Sequence, residues 1–259
     1  MRALRYISHR FKSRSGFEIH SPFVYQFYSK ILNDKSFHDE FRTIEGLRSQ
    51  LLKNRSVIEM TDLGSLSNEK QSINKNISVR DVIKNSSVSP VYGRFLFRMA
   101  RHLKLSAILE LGTSLGISTI YLAMGLPQGH ITTIEGCPRT AELAANNFNI
   151  LGLTNIDLIT GSFEKKLPDL LEHLAKIDLV FIDGNHRKEP VLHYFYQCLQ
   201  HIHDDSVIIF DDIHWSKEME EAWKVIREHP SVTITIDLFR MGLVFFKEGL
   251  SKEDFILHF

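Results

Sequence analysis

Three aspartates follow two short aliphatic runs, and their positions suit them to bind a cation. Asp183 ends a run that begins near residue 178, and Asp211 and Asp212 come directly after the run 206–210. If both runs are strands of one parallel sheet, their carboxyl ends meet at one edge, which brings the three carboxylates together. Such carboxylates repel one another unless a cation offsets their charge, and oxygen-rich clusters suit Mg²⁺ or another hard divalent ion. The alternative is that Asp212 caps the next helix while Asp211 is a solvated strand end.

A glycine-containing turn is the second candidate site. The run Ala107–Leu111 predicts a strand, the residues from Gly112 to Gly116 a tight turn, and the apolar spacing after them a helix whose first N–H groups can face a polar ligand. Ser114 stands where a dinucleotide motif has its middle glycine, and Glu110 would repel a pyrophosphate but attract an ammonium group. The turn therefore suits a zwitterionic ligand, and a turn with no ligand is the alternative.

The ends of the next two predicted strands carry groups that suit a nucleoside. The second strand ends in Glu135, followed by Gly136, and a carboxylate there can accept both hydroxyls of a ribose. The third ends in Gly161-Ser162-Phe163, where a hydroxyl and an aromatic ring suit the edge and the face of an adenine. Acids and hydroxyls at successive strand ends are a stronger signal together than any one of them alone.

The elements that must position these residues alternate between strand and helix from residue 107 onward, which predicts a mostly parallel sheet. The last two strands are so close in sequence that they should pair antiparallel as a hairpin. Residues 1–89 predict helices instead: a basic amphipathic one in residues 1–14, an aromatic one that starts at Ser21-Pro22, a third in residues 37–51, and then a polar loop over residues 56–78. The predicted strands are 107–111, 130–135, 155–160, 178–183, 206–210, 232–237 and 243–246.

The strand, acid and glycine turn at Glu110–Gly116 resembles the first motif of the class I S-adenosylmethionine-dependent methyltransferases. The βα units that close in a hairpin resemble the α/β fold of that family, a doubly wound, mostly parallel seven-stranded sheet of Rossmann-like type whose last strand is antiparallel. The resemblance covers residues 90–259 as the methyltransferase domain, and residues 1–89 form a helical N-terminal extension. It implies S-adenosylmethionine as the cofactor, although methyltransferases often have an acid where Ser162 stands. The expected cofactor-binding residues are Glu110, Gly112, Thr113, Gly116, Ser118, Glu135, Gly136, Ser162, Phe163 and Asp183.

The acidic cluster is similar to that of the cation-dependent O-methyltransferases of the catechol and sugar-modifying types, in which two acids and a following Asp or Asn hold the ion. Asp183, Asp211 and Asp212 match those positions, so the resemblance implies a metal site there. Catechol-type enzymes have a lysine three residues after the first acid, and some sugar-type enzymes have a histidine. We therefore expect His186 to be the general base and, with Asp183, to be catalytic, with His214 as the second candidate.

These features predict an S-adenosylmethionine-dependent O-methyltransferase that acts on a hydroxyl of a small molecule or a sugar and is assisted by a divalent cation. An N-methyltransferase is one alternative, although the run Asp-Gly-Asn-His after the fourth strand lacks the Asn/Asp-Pro-Pro-aromatic pattern. A non-catalytic cofactor-binding or scaffold protein is the other.

Charge is distributed unevenly along the 259 residues, although the formal net charge is zero. Residues 1–105 carry 19 Lys and Arg against 9 Asp and Glu, whereas residues 106–259 carry 12 against 22. Docking of the two halves or a solvated basic face is favoured over an anionic partner. The lack of a membrane-spanning run or secretory signal and the presence of only two cysteines predict a cytoplasmic protein. We expect a small-molecule acceptor, no nucleic-acid partner, and a homodimer through the N-terminal helices.

Overall fold

The computed structural model describes residues 2–62, 73–103 and 105–259, which form two compact units. One unit is Met1–Asp34 with Leu171–Phe259, and the other is Lys35–Leu170. The helices and strands of the described residues are α1 Arg2–Lys12, α2 Pro22–Phe27, α3 Asp39–Lys53, β1 Val57–Asp62, β2 Ile73–Ser78, α4 Val79–Ser86, α5 Pro90–His102, β3 Ala107–Leu111, α6 Ile117–Gly125, β4 His130–Glu135, α7 Pro138–Ile150, β5 Ile156–Thr160, α8 Phe163–Leu171, β6 Leu179–Ile182, α9 Lys188–Cys198, β7 Val207–Phe210, α10 Lys217–Glu228, β8 Ile234–Asp237, β9 Gly242–Phe245 and β10 Glu253–Ile256.

Eight strands, β3 to β10, make up the mostly parallel sheet of this α/β fold. In the unit Lys35–Leu170 the order is β3-β4-β5, and both pairs are parallel. In the other unit the order is β10-β8-β9-β7-β6. There β9 is antiparallel to both β7 and β8, whereas β6 with β7 and β8 with β10 are parallel.

The sequence-based prediction of seven strands with the last one antiparallel needs correction. The antiparallel strand is β9, and it is followed by an eighth strand, β10, which is parallel to β8. The prediction missed β10 because its first two residues, Glu253 and Asp254, are acidic and exposed, so only Phe255 is buried as in a conventional strand. The hairpin of β8 and β9 is confirmed.

The N-terminal residues contain a β-hairpin as well as helices. β1 and β2 pair antiparallel with Val57 opposite Ser78, within the range predicted to be a polar loop. Residues 63–72 of that predicted loop lie outside the described residues. Ser78 and Ser21 cap helices as expected: the Ser78 hydroxyl accepts a hydrogen bond from the backbone N–H of Asp81, and Ser21 does the same for Val24 at the start of α2.

Aromatic packing builds the core of each unit. In the unit that contains α2, Phe23 and Phe27 pack edge-on against Phe245, with ring centroids 5.1 and 5.6 Å apart. Only one face of the short helix α2 packs, and Tyr25 on another face is 47% exposed. Trp215 is 56% exposed, whereas Trp223 is buried.

In the unit Lys35–Leu170, α5 and α6 come into very close contact. A Cβ atom at Gly93 of α5 would lie only 2.2 Å from the ring of Tyr121 in α6, so glycine allows this approach. Tyr121 is fully buried and donates a hydrogen bond to Glu45 of α3. No helix of the described residues is long and apolar enough to cross a membrane.

Candidate active site

The glycine turn between β3 and α6 has the backbone conformation that its sequence predicts. Gly112, Ser114 and Gly116 have positive φ values of 108°, 50° and 84°. This region is strained for most residues but not for glycine. A Cβ atom at Gly116 would lie 2.4 Å from Cε1 of Phe148, so glycine is required there for space as well. Gly116 is also the N-cap of α6, whose first N–H groups have no partners within the helix.

Glu110 is fully buried in β3 and has one carboxylate oxygen without a partner. Its Oε2 accepts hydrogen bonds from Oγ1 of Thr119 at 2.5 Å and of Thr133 at 2.7 Å, and the Ser118 hydroxyl also faces it. Burial raises the pKa of Glu110 more than these hydroxyl groups lower it. Among the described residues, neither Oε1 of Glu110 nor the buried Oγ of Ser114 has a hydrogen-bond partner. Buried polar atoms are normally satisfied, so these two fit a polar ligand.

Glu135 ends β4 with its carboxylate held in a fixed orientation. Oε2 accepts a hydrogen bond from the backbone N–H of Ser114 at 2.7 Å, and Oε1 accepts one from that of Cys137 at 2.8 Å, just past Gly136. A carboxylate oxygen can accept more than one hydrogen bond, so both oxygens can also receive ribose hydroxyls. The arrangement links the glycine turn to the end of β4.

The other expected cofactor-binding residues of this unit differ in what they can offer a ligand. The hydroxyl of Thr113 is 2.6 Å from that of Thr133, and both Thr113 and Ser118 are buried. These side chains therefore make their contacts in the protein interior. Ser162 and Phe163 are half-buried where β5 leads into α8. The Ser162 carbonyl oxygen accepts hydrogen bonds in the first turn of α8, which fixes the strand end.

Asp183 and Asp211 follow β6 and β7 in the other unit and form a hydrogen-bonded pair. Ile182 lies opposite Phe210, so the next residue of each strand is also adjacent, and the Asp211 N–H donates to the Ile182 carbonyl at 2.9 Å. Burial, and then the charge of Asp211, raise the pKa of Asp183 well above its usual range, while Arg240 lowers it by less.

Arg240 brings positive charge to this pair, a role that was not apparent from the sequence. Its Nε donates to Oδ1 and Oδ2 of Asp211 at 3.0 and 3.2 Å, and its Nη2 donates to Oδ2 at 2.7 Å. Nε is also 4.0 Å from Oδ1 of Asp212. Burial lowers the pKa of Arg240, but the hydrogen bonds and charge of Asp211 outweigh that effect, so the pKa is raised and the guanidinium stays charged.

The register of β9 explains why Arg240 reaches the end of β7. Because β9 is antiparallel to β7 with Gly242 opposite Phe210, the residues before Gly242 run beside the residues after Phe210. Residues 238–241 form the turn between β8 and β9, and the backbone N–H of Ile213 donates to the Arg240 carbonyl at 3.1 Å. The signal available in the sequence was an arginine in that hairpin turn, which becomes informative only when β9 is placed next to β7.

His186 lies beside Asp183, as the three-residue spacing predicts. Its Nε2 is 3.8 Å from Oδ1 of Asp183, and the two side chains are 30% and 14% exposed, so both can be reached by a small molecule. His214, the second candidate for the base, belongs to a different cluster. Its Nε2 lies 2.8 Å from Asp237 and its Nδ1 lies 3.3 Å from Glu220, so both ring nitrogens already have carboxylate partners.

As they are arranged here, Asp183, Asp211 and Asp212 do not fit a divalent cation. Both oxygens of Asp211 accept hydrogen bonds from Arg240, whereas a metal requires carboxylate oxygens directed at the ion. Within residues 2–62, 73–103 and 105–259, no group of three His, Cys, Asp or Glu side chains could hold a metal. The divalent cation remains a prediction from the sequence alone.

Comparison with known proteins finds a family that matches the segment containing both the glycine turn and the three aspartates. The family described as "Methyltransferase domain" matches residues 109–213, from the strand before the glycine turn to just past Asp212. This segment is similar to methyltransferase domains. About half of the chain is similar in sequence to catechol O-methyltransferases, and 63% of it is similar in fold to a solved O-methyltransferase.

Three proteins that are similar to this chain are O-methyltransferases. A catechol O-methyltransferase of Niastella koreensis is 38% identical over 130 residues, which cover 49% of this chain and 58% of that protein. One of Mycobacterium tuberculosis is 34% identical over 129 residues, 49% of this chain and 57% of that protein. The crystal structure of the O-methyltransferase TomG from Streptomyces achromogenes, in complex with SAM, is 25% identical with a TM-score of 0.53, and the match covers 63% of this chain and 82% of that chain. The chain thus spans somewhat over half the length of the curated relatives.

Proposed function

We propose that this protein is an S-adenosylmethionine-dependent O-methyltransferase that acts on a hydroxyl of a small molecule or a sugar. The observation that carries the proposal is the buried Glu110 carboxylate, whose Oε1 has no partner among the described residues and which lies in the strand before a positive-φ glycine turn. Such an acceptor suits the ammonium group of an amino acid. The names of the catechol O-methyltransferases and of TomG support transfer to oxygen.

We assign the cofactor to residues of the unit Lys35–Leu170. Glu110 would accept from the amino group, and Glu135 would accept from the ribose hydroxyls. Ser162 and Phe163 would contact the adenine, and the glycine turn would allow close approach to the backbone. S-adenosylmethionine, when bound, supplies the methyl group.

His186 and Asp183 would handle the proton of the acceptor hydroxyl. His186 Nε2 takes that proton, because an imidazole can accept one near neutral pH. The side chain of Asp183 lies 3.8 Å from this nitrogen and would limit the orientations of the ring. A cytoplasmic location and a homodimer through the N-terminal helices remain predictions from the sequence.

Two measurements test the proposed function. Calorimetry should find S-adenosylmethionine binding, and a nicotinamide dinucleotide should bind much more weakly because the turn lacks the middle glycine. Incubation with labelled S-adenosylmethionine and a panel of catechols, other phenols and sugars should then label a product at oxygen. The proposal is wrong if the chain binds no S-adenosylmethionine, or if label reaches amines but no hydroxyl. Binding without transfer to any acceptor would favour a non-catalytic cofactor-binding protein.

A further inference from the structure

Positive charge at the acidic cluster comes from the chain itself. Asp211 has a fully buried side chain, and the two donor nitrogens of Arg240 contact both of its oxygens. We propose that Arg240 takes the place of the divalent cation found in the cation-dependent O-methyltransferases that this cluster resembles, so that the protein works without a metal at Asp183, Asp211 and Asp212. The inference rests on the proposed function for its role in methyl transfer, but not for its test.

The guanidinium of Arg240 occupies the carboxylate oxygens that a metal ion would bind. A guanidinium presents a planar fork of donors that matches a carboxylate, and such paired, charge-assisted hydrogen bonds are the strong ones. A divalent ion bound to the same oxygens would lie next to a guanidinium that keeps its charge, and the two cations would repel each other. Metal binding therefore requires Arg240 to leave Asp211.

The backbone around Arg240 is fixed, so the guanidinium could leave Asp211 only by rotation of the side chain. The Arg240 carbonyl accepts a hydrogen bond from Ile213, and the Arg240 N–H donates to the Leu238 carbonyl at 2.9 Å. The preceding residue, Phe239, is also held: its N–H donates to Oδ1 of Asp237 at 2.8 Å, and its ring stacks on His214 with centroids 5.4 Å apart. The turn is fixed on both sides of the arginine.

Arg240 is then a positioning residue of the acceptor side. It holds Asp211, which is hydrogen-bonded to Asp183, and Asp183 lies next to His186. Arg240 orients these side chains and offsets their negative charge. The proton of the acceptor hydroxyl goes to His186, without help from a metal.

Titration of the full chain with Mn²⁺ alone, followed by the loss of the free-ion electron paramagnetic resonance signal, tests the inference directly. Arg227→Ala is a matched control, because Arg227 lies 3.6 Å from Asp254, outside the cluster. The wild-type protein should bind Mn²⁺ no more tightly than this control. Arg240→Ala should uncover the carboxylates and bind Mn²⁺ more tightly than wild type by roughly tenfold or more, and adding Asp211→Asn to it should abolish that gain.

Two results would overturn the inference. One is stoichiometric Mn²⁺ binding by the wild-type chain that Asp211→Asn removes. The other is a folded Arg240→Ala protein, verified by circular dichroism, that gains no affinity for Mn²⁺. If Arg240→Ala does not fold, the wild-type titration with its Asp211→Asn control still decides. Neither assay needs S-adenosylmethionine or an acceptor, so their outcome is independent of whether the chain proves to be a methyltransferase.

Discussion

Glu110 is the residue on which we expect recognition of the cofactor to depend most, because its buried Oε1 has no hydrogen-bond partner among the described residues. Glu110→Gln keeps the shape of the side chain but replaces an acceptor by a donor and removes the charge. We expect the affinity for S-adenosylmethionine to fall by about 1–3 kcal/mol, the usual cost of losing a charged hydrogen bond. Calorimetry measures it, and Glu142→Gln, an exposed residue of α7 paired with Arg139, is the control. Equal affinities in the two variants would remove Glu110 from the site.

His186 is the residue whose loss should separate chemistry from binding. His186→Ala should lower turnover on an identified acceptor by roughly 10²–10⁴-fold, the usual contribution of a general base, and leave the dissociation constant of S-adenosylmethionine nearly unchanged. His193→Ala, an exposed histidine of α9, controls for the general effect of removing an imidazole. Full activity of His186→Ala near neutral pH would mean that another group accepts the proton.

The start of α6 depends on a glycine that no other residue can replace. Gly116→Ala would force a side chain into a backbone with φ of 84° and against the ring of Phe148. Gly152→Ala is a matched control, since Gly152 has φ of 65° but no atom within 4 Å of the added methyl group. We expect the control to lose about 1–2 kcal/mol of stability from backbone strain. Gly116→Ala should lose about 1–3 kcal/mol more from overpacking.

Denaturant unfolding of the two variants against wild type measures the difference. If both lost the same free energy of unfolding, the close approach of Phe148 to Gly116 would have no energetic consequence.

At the scale of elements, the sequence predicted the strands whose residues follow a buried pattern and missed those that do not. β3 and β4 have the predicted bounds because both are apolar or β-branched and end next to glycine. β2 reads Ile-Asn-Lys-Asn-Ile-Ser, which is too polar to distinguish from a loop without its partner β1. β10 was missed for the same reason, since two of its four residues are acidic.

The candidate site was predictable to the extent that it follows strand ends. Glu110, Glu135 and Asp183 could be placed because each lies at or near the end of a recognisable strand. Arg240 could not, since it reaches Asp211 only through the insertion of β9 beside β7, a pairing between segments far apart in the sequence. The partners of the Glu110 carboxylate, Thr119 and Thr133, likewise depend on contact between elements.

At the scale of the whole molecule, α1 docks on its unit through a cluster that responds to pH. His9 and His214 both hydrogen-bond to Asp237, and Glu220 contacts both His214 and Arg5. Burial lowers the pKa of His214, but the hydrogen bond and charge of Asp237 outweigh it, so the pKa is raised. Burial raises the pKa of Asp237, but the hydrogen bonds from His214 and His9 lower it by more than burial raises it, so the pKa is depressed.

The two shifts define the pH range in which the cluster stabilises the fold. A raised histidine pKa gives stability that is complete below about pH 6.5 and is lost as the pH rises through the folded pKa of His214. A depressed aspartate pKa gives stability that is present above about pH 4 and is lost as the pH falls through the folded pKa of Asp237. We expect the difference in unfolding free energy between wild type and His214→Asn to be largest near pH 6 and to shrink toward pH 8.5. A difference that stayed constant or grew over that range would contradict the assignment.

The position of Arg240, 29 residues after Asp211, has a consequence for the order in which the molecule is made. The unit Lys35–Leu170 is one continuous stretch of chain, whereas the other unit needs both Met1–Asp34 and Leu171–Phe259. Asp183 and Asp211 are therefore synthesised before the hairpin that carries Arg240. Their countercharge reaches them only after β9 has been made, and that unit is complete only once β10, which pairs with β8, has followed.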